Sequence, residues 1–263
     1  MVAMSAESLM RRWIPKGARR ALNRLRGRRP APPAPVAVVA EIADDKPRFD
    51  GEHSRQWWET RDDAGQNSAE GYWKQREHPF RLKIGETVSK LDGQALLEVG
   101  CHAGPNFWSI NRSKQWSRLA GTELSRPVLS FAEATLPEAL GRPVDLVHAA
   151  ADALPFKSDE FDVVLASGVL LCIGPDLIEQ SVREILRVTQ RWLVLVEPLS
   201  EDAADANATG KIDYYPNTTY WIRNYTGFLA KVANVRRTDL VMAENGHSLG
   251  HMNSIMVFEK LSR

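Results

Sequence analysis

Cysteine is scarce in this sequence, with Cys101 and Cys172 the only two among 263 residues. Neither stands at the spacing of a metal site or a disulfide framework, so a metal-built or disulfide-stapled fold is excluded and reduced thiols are expected. Long apolar runs are also missing. Nothing approaches the roughly 18 residues that cross a bilayer, and the basic N-terminus lacks the apolar stretch of a signal peptide. A cytoplasmic protein is expected, in which the Asn-x-Ser/Thr triplets at Asn111, Asn207, Asn217 and Asn224 are chance occurrences. Net charge is nearly absent at +1, and no internal repeat is visible. What the chain does have is 43% hydrophobic content, enough for one domain with a sizeable core.

The small net charge hides an uneven distribution. Residues 1–40 hold nine basic side chains against the single acid Glu7, a local charge of +8, so the remainder carries −7. Among those arginines, Leu9, Met10, Trp13, Ile14, Ala18, Ala21, Leu22 and Leu25 fall roughly at helical spacing, interrupted by Pro15 and Gly17. Residues 9–29 therefore read as a disordered basic tail, as a peripheral contact with an anionic membrane, or as a phosphate-binding arm. The nucleic-acid reading is the least favoured of the three. An Arg-rich, acid-poor start also resembles an organellar transit peptide. Pro30, Pro32, Pro33 and Pro35 then form an extended spacer. Residues 1–47 are read as tail and linker, and residues 48–263 as the folded domain.

From residue 90 onward, apolar runs at 95–100, 118–124, 144–149, 161–167 and 192–198 alternate with amphipathic segments at 105–113, 127–139 and 175–188. That alternation predicts a parallel sheet covered by helices on both faces. Pro105, Pro127 and Pro175 suit first-turn positions, where the missing N–H costs nothing. Right-handed crossovers bring all five strand carboxyl ends to one edge, where ligand chemistry is expected. The runs 235–243 and 254–260 are joined by ten residues, too few for a crossover helix, and should pair antiparallel. The fold class is thus α/β, a doubly wound, mostly parallel seven-stranded sheet with a C-terminal antiparallel hairpin.

The segment Leu96-Leu97-Glu98-Val99-Gly100-Cys101-His102-Ala103-Gly104-Pro105-Asn106 supplies an acid followed by glycines at the spacing E-x-G-x-x-x-G. A glycine turn alone also suits a dinucleotide-binding fold, and so does Glu123 at the end of the second strand. The segment Ala151-Asp152-Ala153-Leu154-Pro155-Phe156, followed by Phe161-Asp162-Val163-Val164, separates the two. With Ser167-Gly168-Val169-Leu170-Leu171 and Glu197-Pro198, residues 94–198 resemble the class I, Rossmann-like S-adenosylmethionine-dependent methyltransferases, of the methyltransferase domain 11 type.

The resemblance implies S-adenosylmethionine as cofactor. It implies Gly100 and Gly104 against the methionine part, Glu98 near its amino group, and Glu123 with Leu124 at the ribose. It further implies Asp152 with Ala153 at the adenine, Ser167 beside the methionine, and Arg76 at its carboxylate. His102 and Asn106 depart from it, standing where many members have glycine. Trp57, Trp58, Tyr72, Trp73 and His78 belong either to a helix folded over the cofactor or to an aromatic plug on the open sheet edge.

Methyl transfer is an in-line displacement that depends on positioning and exclusion of water. An alcohol or phenol acceptor would also need a base. His247 and His251 lie in the loop between the last two strands and are the candidates; no third ligand accompanies them, so no metal is expected. Tyr215, Tyr220, Trp221 and Arg223, within a cluster that includes Tyr214, Asn224 and Tyr225, are candidates for acceptor contact or for core packing. The expected acceptor is a small molecule or a cell-surface saccharide, methylated at oxygen. The alternatives are a non-catalytic cofactor-binding adaptor and an RNA methyltransferase.

Overall fold

The computed structural model describes residues 51–60, 68–199, 210–215, 218–243 and 252–261, with backbone alone at 51–54, 57, 210–215 and 218–220. The readings of residues 1–47 as a basic tail, and of His247 and His251 as bases, fall outside the described residues.

Among the described residues, three helices precede the sheet: α1 (Gly51–Thr60), α2 (Ala69–Lys74) and α3 (Pro79–Ser89). In α3, Phe80, Ile84 and Val88 recur every four residues and are all buried. Burial of side chains of this size is worth about 1.5–3 kcal/mol each. Pro79 opens the helix and the His78 imidazole accepts from the Phe80 N–H, so this histidine is a cap. A Cβ on Gly85 would stand 2.7 Å from the Ser109 carbonyl carbon. Glycine there lets α3 lie directly on the helix that carries Ser109.

Strands β1 (Ala95–Val99), β2 (Arg118–Glu123), β3 (Asp145–His148), β4 (Phe161–Ser167) and β5 (Thr189–Glu197) pair in parallel. Helices α4 (Pro105–Ser113) and α5 (Arg126–Leu140) connect the first three strands, and α6 (Ile178–Val188) joins β4 to β5. Strands β8 (Val235–Met242) and β9 (Ser254–Lys260) extend the sheet antiparallel, in the order β3-β2-β1-β4-β5-β9-β8. This is the expected doubly wound sheet with its C-terminal hairpin.

Its two faces bury separate clusters. Leu97, Val99, Val164, Leu195 and Met256 pack with α6 and with α7 (Tyr225–Val232), whereas Leu96, Leu165, Val194 and Val257 pack with α3, α4 and α5. The alternation along each strand follows from its period of two.

The structure departs from the sequence reading in two places. The segment 175–188 is not one helix: Pro175 lies in a turn, α6 begins at Ile178, and a 3-10 turn (Leu170–Cys172) precedes it. The stretch after β5 contains a separate antiparallel pair, β6 (Gly210–Tyr215) and β7 (Thr218–Ile222). In hindsight the run Thr218-Thr219-Tyr220-Trp221-Ile222 carries the β-branched and aromatic signal of a strand. None of the helices among the described residues is long and apolar enough to cross a membrane.

Candidate active site

The strand carboxyl ends open onto a cleft of about 910 Å³. It is lined by Val99, Gly100 and His102 after β1, Glu123 and Leu124 after β2, Ala149–Asp152 after β3, and Ser167–Val169 with Cys172–Gly174 after β4. Arg55 and Trp58 of α1 and Tyr72 of α2 complete it from the N-terminal side.

Glu123 is held by three backbone donors. One oxygen accepts from Leu124 N and Ser125 N, each at 2.8 Å, and the other from His102 N at 2.8 Å. The carboxylate thus ties the turn after β1 to the turn after β2. Asp152 is 8% exposed, lines the same cleft and is ion-paired with Arg55. Its loop is held from behind, where the Gln180 side-chain amide donates to the Asp152 carbonyl at 3.1 Å.

Gly100 lines the cleft with φ +66°, yet a Cβ there would first meet the Val169 side chain at 2.5 Å. Gly104 corrects the sequence reading. It sits outside the cleft lining as the left-handed N-cap of α4, and a Cβ would strike Leu136. Its glycine serves helix packing, not ligand approach.

His102 adopts φ +52° and packs on Tyr72 with ring centroids 4.1 Å apart. Left-handed backbone at a non-glycine residue is uncommon and concentrates at functional sites.

Glu98 also departs from expectation, because its side chain points behind the turn and does not line the cleft. It is 1% exposed and accepts from the Asn106 amide at 2.7 Å, while Asn106 in turn accepts from Arg81 at 2.7 Å. Burial pushes the Glu98 carboxyl up to about 8, against the lowering effects of Asn106 and Arg81. The second Glu98 oxygen, and Nε and Nη2 of Arg81, are buried without a hydrogen-bond partner. Such groups are costly to leave unmatched.

The sequence reading singles out Arg76 and not Arg81, and the two are placed differently. Arg76 lies instead between Trp73 and Trp108, 5.0 and 5.3 Å from their ring centroids, and donates to the Trp73 carbonyl. Arg76 lies in the turn between α2 and α3, whereas Arg81 sits in the first turn of α3, which packs on α4. The Ser109 hydroxyl, donating to the Arg81 carbonyl at 2.7 Å, fixes that register.

Three further assignments change. Ala153 is exposed outside the cleft lining. Trp221 does not line the cleft and stands 5.8 Å from the Arg223 guanidinium. Arg223 is fully buried and donates to the carbonyls of Leu170 and Ile173, and Tyr225 is likewise core. Asn224 caps α7 through Gly227 N. For Tyr214, Tyr215 and Tyr220 only the backbone is described, on β6 and β7.

Glu197, noted in the sequence only as a strand end, accepts from Val169 N, Leu170 N and Leu171 N at 2.9, 2.8 and 3.2 Å.

Comparison with known proteins agrees with this architecture. Residues 97–192 match the family model described as a methyltransferase domain. Demethylmenaquinone methyltransferase of Lactococcus lactis subsp. lactis (strain IL1403) is 30% identical over 110 residues, 41% of this chain and 43% of that protein. The chain thus spans less than half the length of this curated relative.

Among solved structures, the Burkholderia thailandensis 1,6-didemethyltoxoflavin-N1-methyltransferase, with bound 1,6-didemethyltoxoflavin and S-adenosylhomocysteine, superposes with a TM-score of 0.56 at 14% identity. The match covers 73% of this chain and 82% of that one. The magnesium protoporphyrin IX methyltransferase of Synechocystis PCC 6803 with bound SAM gives a TM-score of 0.56 at 13% identity, over 85% of this chain and all of the other. Residues 97–192 thus match a methyltransferase domain, and the chain shares the fold of these solved methyltransferases.

Proposed function

We propose that the protein transfers a methyl group from S-adenosylmethionine to a small-molecule acceptor. The observation that carries this is the pair Glu123 and Asp152, two carboxylates at successive strand ends on one cleft, the first aligned by three N–H groups. Glu123 suits the ribose hydroxyls and Asp152 the adenine amino group. For the charged amino-acid end, the matching groups lie behind Tyr72 and His102, where Arg81 keeps two unmatched nitrogens and Glu98 an unmatched oxygen. We assign the methionine carboxylate to Arg81 in place of Arg76. The sulfonium donor supplies the methyl group, and the protein's part is to orient the donor and acceptor and exclude water.

The acceptor reading rests on the lining. Trp58, Leu124, Val169, Ile173 and Leu177 present an apolar surface, which suits a small molecule better than a phosphate backbone. Methylation at oxygen would need a proton acceptor. His247 and His251, in the loop between the last two strands, are the candidate bases. For the basic segment 9–29 we propose peripheral contact with anionic lipid, tested by flotation with anionic vesicles before and after its removal.

The decisive experiment is calorimetric titration with S-adenosylhomocysteine, followed by incubation of the full chain with methyl-labelled S-adenosylmethionine and a small-molecule extract. Micromolar binding and a labelled small product are expected. No binding refutes the cofactor assignment, and binding without any labelled product favours the adaptor reading.

A further inference from the structure

One wall of the cleft is a tight turn with its neighbouring residues. Residues 168–174 contain the tight 3-10 turn Leu170–Cys172 and contribute Gly168, Val169, Cys172, Ile173 and Gly174 to the lining. So short a turn offers few internal hydrogen bonds: Cys172 N to Val169 O and Ile173 N to Leu170 O are its own. The remaining polar groups need partners from elsewhere.

Two buried charged residues distant in sequence supply them. Glu197, at the end of β5, takes the three N–H groups at the start of the turn. Arg223, just past β7, is itself fully buried and donates to the Leu170 and Ile173 carbonyls at 2.7 and 2.6 Å. Gly168 N adds a bond to Val196 O at 2.9 Å, and the Ser254 hydroxyl fixes the Glu197 carbonyl at 2.8 Å. Leu199 and Arg223 bridge in parallel, so the approach of β7 to the turn is also set by backbone pairing.

Burying a carboxylate and a guanidinium is expensive, and a fold that needed only bulk here would use apolar side chains. Both residues instead spend their hydrogen bonds on one five-residue stretch of cleft wall, 169–173. We propose that Glu197 and Arg223 are positioning residues that clamp the wall at 168–174 in the shape that binds the donor beside its acceptor. The inference rests on the cofactor reading above and extends it to residues that touch no ligand. The titratable neighbours of Glu197 are Arg223 and the Tyr225 hydroxyl from α7, which in turn faces the Cys172 thiol.

Cys172 gives a readout independent of any ligand. Its thiol lines the cleft and leans on the Gly168 carbonyl at 3.6 Å, whereas Cys101, the other cysteine, is buried with its thiol pushed well up by that burial. The test compares the full-length wild type with Glu197→Ala, Glu197→Gln and Arg223→Lys, measuring alkylation of each cysteine by N-ethylmaleimide and affinity for S-adenosylhomocysteine. Cys172 should react about tenfold faster in Glu197→Ala and in Arg223→Lys, with Cys101 unchanged. S-adenosylhomocysteine should bind about tenfold more weakly to Glu197→Ala, and Glu197→Gln, which keeps one oxygen acceptor, should recover part of the loss.

Unchanged Cys172 reactivity and affinity overturn the clamp, as does faster reaction of both cysteines together, which signals general loosening. Should Glu197→Ala not fold, Arg223→Lys decides by the same alkylation criterion. Failure of the wild type to bind S-adenosylhomocysteine would refute the cofactor reading and leave the alkylation result to judge the clamp separately.

Discussion

The two sides of the cleft reach the same edge of the sheet by different routes. On one side, Glu123 and Asp152 stand at or just beyond strand ends, and for Glu123 two of the three backbone donors are its neighbours in sequence. On the other, the 168–174 wall and the Glu98–Asn106–Arg81 relay are assembled from partners 8 to 53 residues apart. Side chains that act directly on a ligand need only the right strand tip. A wall built on a tight turn, and a charge kept out of water, need partners brought in by the fold.

The largest effect that would break this contrast belongs to Glu123. Glu123→Ala removes the proposed ribose acceptor and also unties His102, Leu124 and Ser125, so S-adenosylhomocysteine affinity should fall by more than about a hundredfold, roughly 3 kcal/mol. Calorimetry showing a loss under tenfold would deny it the central place. Next comes the cation: Arg81→Met should weaken the same ligand about tenfold, whereas Arg76→Met should leave it within about twofold. The opposite ranking would restore the assignment expected from sequence.

A pH experiment sharpens the comparison further. Burial raises both Glu98 and Glu197 to about 8. Between about 4.5 and 8 the folded chain therefore holds more protons than the unfolded chain, so stability should fall as pH rises through that window and level off above it. Scanning calorimetry from pH 5 to 9 should show this decline, and Glu98→Gln should remove roughly half of it. A flat profile would mean that neither carboxyl titrates high.

The smallest expected effect is at the cleft mouth. The Arg55 side chain is 41% exposed, and its pairing with Asp152 competes with any ligand amino group. Arg55→Met should leave the melting temperature nearly unchanged and raise S-adenosylhomocysteine affinity by no more than about fivefold. A loss of affinity would instead make Arg55 a ligand contact.

The chain by itself determined the sheet. Alternating apolar runs, first-turn prolines at Pro105 and Pro127, and a ten-residue link before the last strand specify strand number, direction and the active edge, because burial and connection length act locally. Glu123 and Asp152 were singled out through the resemblance of residues 94–198 to a known family, and the fold brings both to one cleft. The roles of Arg81, Glu197 and Arg223 were not legible, since nothing local says which arginine turns inward or which carboxylate must cap a distant turn. Only tertiary packing decided those points. Gly85 lets α3 settle on α4, and β7 carries Arg223 beneath residues 170–173, so that buried polar groups find the partners water would otherwise supply.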